Sequence, residues 1–248
     1  MHPLLPTAFS LYSVSMDNDS ANDNTINSLL QPYGLLLIGS LRATDEDNVP
    51  DIAAGVPART VLLIGNGGSS FWQKFKCSPE YDDGLADPLD RWSRRVGHWL
   101  AGEMCGRVIF PFEGPPHAPF LSWAGRTGKA APSRLSLSIH ERYGLWHAYR
   151  FALAIPGLPD QSSTGSEFVS PCLSCEAKPC LEVCPVDAFA HQTYRVDQCM
   201  DYLVSDTTSA CREQGCAARR ACPVGKVFTY KPEHAKFHMD AFVKNRSL

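Results

Sequence analysis

The sequence contains no long apolar run and no excess of basic residues. No stretch of about 18 consecutive apolar residues occurs, so the sequence predicts no membrane-spanning helix. Its 23 Lys and Arg residues are outnumbered by 26 Asp and Glu residues, which gives a formal net charge of -3. Because a nucleic-acid-binding surface normally needs a basic stripe, binding to nucleic acid is not expected.

The beginning of the chain lacks the features of an export signal. A secretory signal peptide has a basic start followed by an unbroken apolar segment, and residues 1–24 have neither. We therefore expect a cytoplasmic protein. Residues 17–25 are all polar apart from one alanine, and cannot bury much apolar surface. The sequence predicts a disordered segment over residues 1–25, with Met1 and Met16 as alternative starts.

Cysteine is scarce through most of the chain. Only Cys77 and Cys105 lie outside residues 172–222, which hold the other eight of the ten cysteines. In a small secreted domain such a concentration indicates disulfides. In a chain of this length without an export signal, it favours metal binding.

The eight clustered cysteines form two runs, each of which ends in Cys-Pro. The first run is Cys172-x2-Cys175-x4-Cys180-x3-Cys184-Pro185, and the second is Cys199-x11-Cys211-x4-Cys216-x5-Cys222-Pro223. In ferredoxins with two 4Fe-4S clusters, the cysteine of each Cys-Pro pair binds the cluster of the other run. The two runs therefore predict two 4Fe-4S clusters with exchanged ligands.

This exchange defines two sets of four ligands. The first crossed set consists of Cys172, Cys175, Cys180 and Cys222. The second crossed set consists of Cys184, Cys199, Cys211 and Cys216. Zinc and disulfides are the alternatives. Structural zinc favours two separated short-spaced pairs and has no need of a proline after the fourth cysteine.

Apolar periodicity predicts a helix-and-sheet domain ahead of the cysteines. Apolar runs at 34–41, 59–65, 106–112 and 145–155 indicate strands, and helical spacing of apolar residues after Asp87-Pro88 indicates an amphipathic helix. The polar stretch 156–167 is typical of a domain boundary. We expect an α/β or α+β domain over 26–165, a ferredoxin-like module over 166–228 and a helical tail over 229–248.

Several stretches resemble two related protein families. They are INSLLQPYGLLLIGSL, DPLDRWSRRVGHWL, AGRTGK and IHERYGLWHAYRFALAIPGLP. They are similar to stretches of the cobalamin-processing chaperone of the methylmalonic aciduria type C family and of epoxyqueuosine reductase, which joins a cobalamin domain to a two-cluster ferredoxin module. The likeness covers residues 26–225. It implies a nitroreductase-like sandwich that holds cobalamin, with FMN as the alternative, beside two 4Fe-4S clusters.

The resemblance also implies a cofactor pocket in the first domain. Within IHERYGLWHAYRFALAIPG it assigns to this pocket Tyr143, Gly144, Trp146 and Arg150. Ordinary strand packing is the alternative for Trp146, and a structural carboxylate is an alternative partner for Arg150. Where epoxyqueuosine reductase has its catalytic aspartate, this chain has FEGPPHAP with Glu113, so no catalytic residue is assigned.

Together these features predict an iron-sulfur oxidoreductase. Electrons from a donor protein, a flavodoxin or a ferredoxin, would pass through the two clusters to the bound corrinoid or flavin and reduce a small substrate that the sequence does not identify. The alternative is a protein without enzymatic activity, either an electron-transfer protein or a cobalamin carrier whose clusters keep the corrinoid reduced.

Overall fold

The computed structural model describes residues 23–157, 168–189 and 193–246. The domain boundary predicted near residue 165 lies outside these ranges, as does most of the predicted disordered segment. The remainder of that segment is ordered, because the first helix begins at Asp23.

The first half of the chain mixes helices with short and long strands. Its helices are α1 (Asp23–Leu30), α2 (Trp72–Lys76), α3 (Pro79–Asp82), α4 (Pro88–Glu103) and α5 (Phe120–Arg126). Its strands are β1 (Leu36–Arg42), β2 (Thr60–Gly67), β3 (Arg107–Ile109), β4 (Ala130–Pro132), β5 (Ser138–His140) and β6 (His147–Ile155).

Four of these strands form one antiparallel sheet in the order β1-β2-β6-β3. Strands β4 and β5 form a separate antiparallel pair. The mixture of helices and sheet confirms the predicted class, and the antiparallel pairing makes it the α+β form.

Helices cover both faces of the sheet at β2. Every residue of β2 is buried, and its side chains alternate between two apolar clusters. Leu62 and Ile64 face the cluster built by α1, α2 and α4. Val61 and Leu63 face a smaller cluster that contains Trp123 of α5. This two-sided burial explains why the β2 sequence is continuously apolar rather than alternating.

Helix α4 has the amphipathic form that its sequence predicts. Leu89, Trp92, Val96 and Leu100 are buried against the sheet, at positions three or four residues apart. The helix begins at Pro88, where a missing N–H costs nothing. The opposite side carries Arg95, which binds Glu80 of α3 and so ties the two helices together.

The second half of the chain is helical and holds the eight clustered cysteines. Its helices are α6 (Pro179–Glu182), α7 (Val196–Ser205), α8 (Ala210–Gln214), α9 (Ala217–Ala221) and α10 (Pro232–Arg246). Helix α6 packs against α9, and α10 packs against α7 and α8. Within the described ranges, no helix combines the length and the apolar character that crossing a membrane requires.

The helical half docks on the end of the sheet around the turn that leads into β6. Leu135, Ile139 and Leu145 pack there with Phe189 and Ala218 in one apolar cluster. The backbones of the two halves also touch. A Cβ atom on Gly144 would lie 2.3 Å from the carbonyl oxygen of Val224, so only glycine permits this approach.

After the last cysteine the chain returns to the first half. Helix α10 brings His234 into the core, where its imidazole stacks on Trp72 with ring centroids 4.9 Å apart and on Tyr230 at 4.0 Å. His234 is 0% exposed. Its Nδ1 lies 2.9 Å from Ser69 Oγ, and its Nε2 lies 3.0 Å from Nε2 of His238. A buried polar network therefore fixes the position of α10.

Acidification should weaken this docking of α10. Burial, together with the charges of Arg150 and Arg219, lowers the pKa of His234 to about 3, whereas an unfolded histidine titrates near 6.5. Between these pH values the unfolded chain binds the proton more readily than the folded protein does. The contribution of neutral His234 to the free energy of unfolding is therefore complete above pH 6.5 and is lost as pH falls toward 3. It amounts to about 1.4 kcal/mol between pH 7.5 and 5.5.

We predict that His234→Phe removes this part of the pH dependence. Its melting temperature should fall about 3–6 °C less than that of the unmodified protein between pH 7.5 and 5.5. Calorimetry under anaerobic conditions measures both values, and His117→Phe, at an exposed position, is the control. Equal falls in all three proteins would show that His234 is not held in the neutral form.

Candidate functional site

The eight clustered cysteines lie on short helices and on the turns between them. Cys180 is on α6, Cys199 on α7 and Cys211 on α8, whereas Cys216 and Cys222 flank α9. All ten cysteines of the chain are free thiols. Helix α6 holds the third cysteine of the first run and packs against α9, so the first run meets the end of the second.

The thiols divide into two groups that match the first and second crossed sets. Burial raises the pKa of Cys180, and the neighbouring thiols of Cys222, Cys172 and Cys175 raise it further. Burial also raises the pKa of Cys222, with further contributions from Cys172 and Cys175. The first crossed set is therefore a spatial neighbourhood that draws on both runs.

The second crossed set is also a group of neighbouring thiols that draws on both runs. Burial raises the pKa of Cys199, and the thiols of Cys184 and Cys211 add to the rise. Burial likewise raises the pKa of Cys216 to about 11, with contributions from Cys211 and Cys199. The thiols that raise the pKa of Cys199 and of Cys216 all belong to the second crossed set.

Backbone amides point at several of these sulfur atoms. The N–H of Ala188 donates to Cys184 Sγ at 3.3 Å. Hydrogen bonds from Arg219 and Ala218 favour the charged form of Cys216, and one from Val224 does so for Cys222. Amide donors stabilise negative charge on sulfur. Apolar burial combined with such donors fits thiolates whose charge is balanced by a bound metal cluster.

No group of three or more His, Cys, Asp or Glu residues among the described residues has the close spacing of a single-ion site. A 4Fe-4S cluster makes a different demand, because each of its four cysteines bonds to a different iron. The donor set of each crossed set, four cysteines and nothing else, is the one that such clusters use.

Arg150 occupies a special position in the sheet beside the cysteine half. Phe151 pairs with Ile64 and Tyr149 with Gly65, so Arg150 is the extra residue of a β-bulge. A bulge redirects a side chain out of the regular alternation. The Arg150 guanidinium lies 5.8 Å from the ring of Phe71, and its Nε has no hydrogen-bond partner among the described residues.

Arg219 of α9 connects the cysteine half to this region. Its guanidinium lies 4.6 Å from the ring of Trp146 and 4.4 Å from that of Tyr230, and its Nε donates to the carbonyl of Leu145 at 3.0 Å. Arg219 stands in the sequence between Cys216, of the second crossed set, and Cys222, of the first.

The two arginines line a cavity of about 260 Å³ at the junction of the two halves, which we name the junction cavity. Tyr149, Tyr230 and His238 also line it, and none of the described residues around it is acidic. Arg150 and His238 also border a neighbouring cavity of about 380 Å³, which Asp87, Asp90 and Asp240 line as well. The junction cavity therefore favours a ligand with negative charge.

The other residues that the resemblance assigns to a cofactor pocket do not line these two cavities. Tyr143 and Trp146 are buried, the first against Phe228 and the second against Tyr230. Gly144 touches the backbone of Val224. A corrinoid at these positions would have to displace residues 224–230, so the arrangement does not fit one there. The sequence pattern is explained by packing between the two halves, and Arg150 is the exception.

Local sequence patterns gave no indication of Arg219, Tyr230 or His238. Each is more than 60 residues from Arg150 along the chain, and each reaches the junction cavity only because the chain returns to the sheet. One sequence feature could have pointed to this region: His234 and His238 are four residues apart and therefore lie on one side of a helix.

The sequence matches no known protein-family model, and a search of curated proteins finds no match either. The resemblance to epoxyqueuosine reductase and to the cobalamin-processing chaperone therefore stays a prediction. The molecule is a mixed α+β protein with a cysteine-rich helical half.

Paired serine variants should distinguish the crossed sets from the two sequence runs. In Cys172→Ser/Cys222→Ser both changes fall in the first crossed set, so about four of about eight irons should remain. In Cys172→Ser/Cys184→Ser the changes fall in different crossed sets, so nearly all iron should be lost. Iron analysis of anaerobically purified protein measures both. The reverse outcome would assign each cluster to a single run.

Arg219→Met should loosen the attachment of the cysteine half. It removes two cation–π contacts and both side-chain hydrogen bonds to the carbonyl of Leu145, together about 2–4 kcal/mol. Amide hydrogen exchange across α9 should therefore accelerate at least about ten-fold. The matched control is Arg220→Met, because the Arg220 side chain donates to Gly215 and Gln214, which are nearby in sequence. Equal exchange in the two variants would contradict the role of Arg219.

Proposed function

We propose that this chain is an iron-sulfur oxidoreductase that binds two 4Fe-4S clusters and transfers electrons between a protein donor and a small molecule held at the junction of its two halves. The observation that carries the proposal is the division of eight thiols into two groups of four, each drawn from both runs. Clusters of this type, when bound, accept and release single electrons at low potential.

The cysteine half supports this role through what its residues do around the sulfur atoms. The first crossed set and the second crossed set would hold one cluster each. Apolar neighbours such as Leu181, Phe189 and Ala218 restrict the access of water to the sulfurs. Amide donors from Ala188 and Val224 stabilise charge on Cys184 and Cys222. Solvent access and hydrogen bonds to sulfur are the properties that set the potential of such a centre.

The junction cavity supports a site for the small molecule. Arg219 borders it and lies one helix turn or less from cysteines of both crossed sets. Arg150 and Arg219 supply positive charge, and none of the ion pairs between described residues includes either of them. The unpartnered Nε of Arg150 suits a carboxylate or another anionic group, whereas Arg219 gives two of its donors to the carbonyl of Leu145. A volume of about 260 Å³ is below the usual range for drug-sized ligands, so the molecule is small.

A flavin or a corrinoid was the acceptor expected from the resemblance. The buried state of Tyr143, Gly144 and Trp146 removes the support for a corrinoid at that place. We therefore propose direct transfer to the small anionic molecule and derive no step through a corrinoid.

A second function, electron transfer between proteins without a substrate, is favoured by one feature of the surface. Three large apolar side chains near the first crossed set are exposed, namely Val169 at 68%, Leu173 at 76% and Val227 at 89%. Exposed apolar groups around a redox centre suit transient contact with another protein. A protein of this kind would bind the donor at this surface and would leave the junction cavity without a ligand.

Metal and sulfide analysis of anaerobically purified protein tests the proposal. We expect about eight irons and about eight sulfides per chain, little zinc, and bleaching of the visible absorption on addition of dithionite. The variant Cys77→Ser should keep all of the iron, because Cys77 lies far along the chain from both crossed sets. One or two zinc ions without sulfide would contradict the proposal and favour a structural zinc module.

A further inference from the structure

A third and larger cavity lies where the first half meets the start of the cysteine half. Its volume is about 1,010 Å³. One wall is formed by the segment that joins β4 to β5, with Ser133, Arg134 and Ser136, and the facing wall includes Phe168, Lys178 and Phe189. The size is at the upper end of the range for small-molecule sites. We name this space the entrance cavity.

Arg134 is the most informative residue of the entrance cavity. Its Nε is buried and has no hydrogen-bond partner among the described residues. None of the ion pairs formed between described residues includes Arg134. A buried guanidinium donor without a partner costs free energy unless a ligand supplies an acceptor. The planar fork of arginine matches the oxygens of a phosphate or a carboxylate.

Two neighbours of Arg134 add to this preference for an anion. The Oγ of Ser133 accepts the N–H of Leu135 at 3.3 Å, so its own proton remains available to a ligand. Lys178 lines the opposite wall and is exposed. Asp187 is the acidic residue of the lining, which leaves two cationic side chains against one anionic side chain. The balance suits a ligand group with one or two negative charges.

Backbone conformation marks the same place. Six described non-glycine residues have a positive φ, and three of them, Ser136, Lys178 and Asp187, line the entrance cavity. L-residues rarely adopt this conformation, and it concentrates where a chain is shaped around a ligand.

The remaining lining is apolar and partly aromatic. Phe189 stacks on Tyr194 with ring centroids 4.7 Å apart, which holds its ring in a fixed orientation. Phe168, Leu173 and Leu181 complete the apolar surface. Flat aromatic and aliphatic surfaces of this kind suit a planar ring system. The lining therefore combines an anion subsite at Arg134 with a separate surface for a ring.

We propose that the entrance cavity binds a phosphate ester of a planar heteroaromatic ring, of the size of a mononucleotide. Arg134, Ser133 and Lys178 contact the phosphate, and the apolar wall at Phe168 and Phe189 contacts the ring. This site differs from the junction cavity in place and in lining. Cys172 borders it, so the ring lies beside the first crossed set if the proposed function is correct.

A double-mutant cycle on the full-length protein tests the phosphate contact. FMN and riboflavin share a ring system and differ in the phosphate, so their dissociation constants are measured by flavin fluorescence with the unmodified protein and with Arg134→Gln. We expect FMN to bind the unmodified protein at least ten-fold more tightly than riboflavin does. Arg134→Gln should remove most of this difference, and Arg59→Gln, at an exposed position outside the lining, should preserve it.

A second arm identifies the ring. AMP is titrated in competition with FMN. In a separate titration, the binding of AMP is followed by calorimetry. If FMN binds and its binding depends on Arg134, the ligand of the entrance cavity is a flavin. If AMP binds through Arg134 and FMN does not bind, the ligand is a nucleotide. Either result supports the site. Binding of neither compound, or equal binding by Arg134→Gln, would overturn it.

The variant Lys178→Gln separates loss of the site from loss of the fold. Lys178 is exposed, so its substitution should leave melting unchanged while it weakens FMN binding several-fold. Iron is measured in every preparation. A protein that binds FMN through Arg134 without iron would overturn the proposed function and leave this site standing. A protein with about eight irons and no Arg134-dependent ligand would do the reverse.

Discussion

The arrangement of the molecule depends on one side chain, Arg219, held between two aromatic rings. Its guanidinium packs on Trp146 from the end of the sheet and on Tyr230 from the returning chain, and it donates to the backbone of Leu145. Because Arg219 is on α9, between cysteines of both crossed sets, this contact fixes the cysteine half against the sheet. Burial of the rings excludes water from the contact, which strengthens the attraction between the cation and the rings.

The same contact sets the electrostatics of the junction. Arg150 and Arg219 bring two positive charges into a region that holds three buried or half-buried histidines. Burial and these charges lower the pKa of His234 to about 3, and burial, His140 and Arg219 lower that of His147 to about 4. The histidines are therefore neutral at physiological pH, and the positive charge of the junction belongs to the arginines. The arginines would stabilise a negatively charged ligand in the junction cavity, whose described lining includes no carboxylate. Asp87, Asp90 and Asp240 line the neighbouring cavity that Arg150 also borders.

Local patterns predicted the elements of the fold better than their contacts. The spacing of Leu89, Trp92 and Val96 predicted α4, since a long amphipathic helix records its burial in its own sequence. The Cys-Pro runs predicted two ligand sets, and this assignment stays a prediction. The thiols that raise the pKa of Cys180 belong to the first crossed set, and those that raise the pKa of Cys216 belong to the second.

Contacts between distant parts of the chain left no comparable signal. Trp146 was expected near a cofactor but packs on Tyr230, and the bulge at Arg150 depends on pairing with β2. The return of α10 to Trp72 also joins segments far apart in sequence.

The most direct test of two adjacent clusters is the electron paramagnetic resonance spectrum of the dithionite-reduced protein. Magnetic coupling between neighbouring reduced clusters predicts a broadened, split signal, whereas the sharp signal of one isolated cluster, or none, would contradict the account.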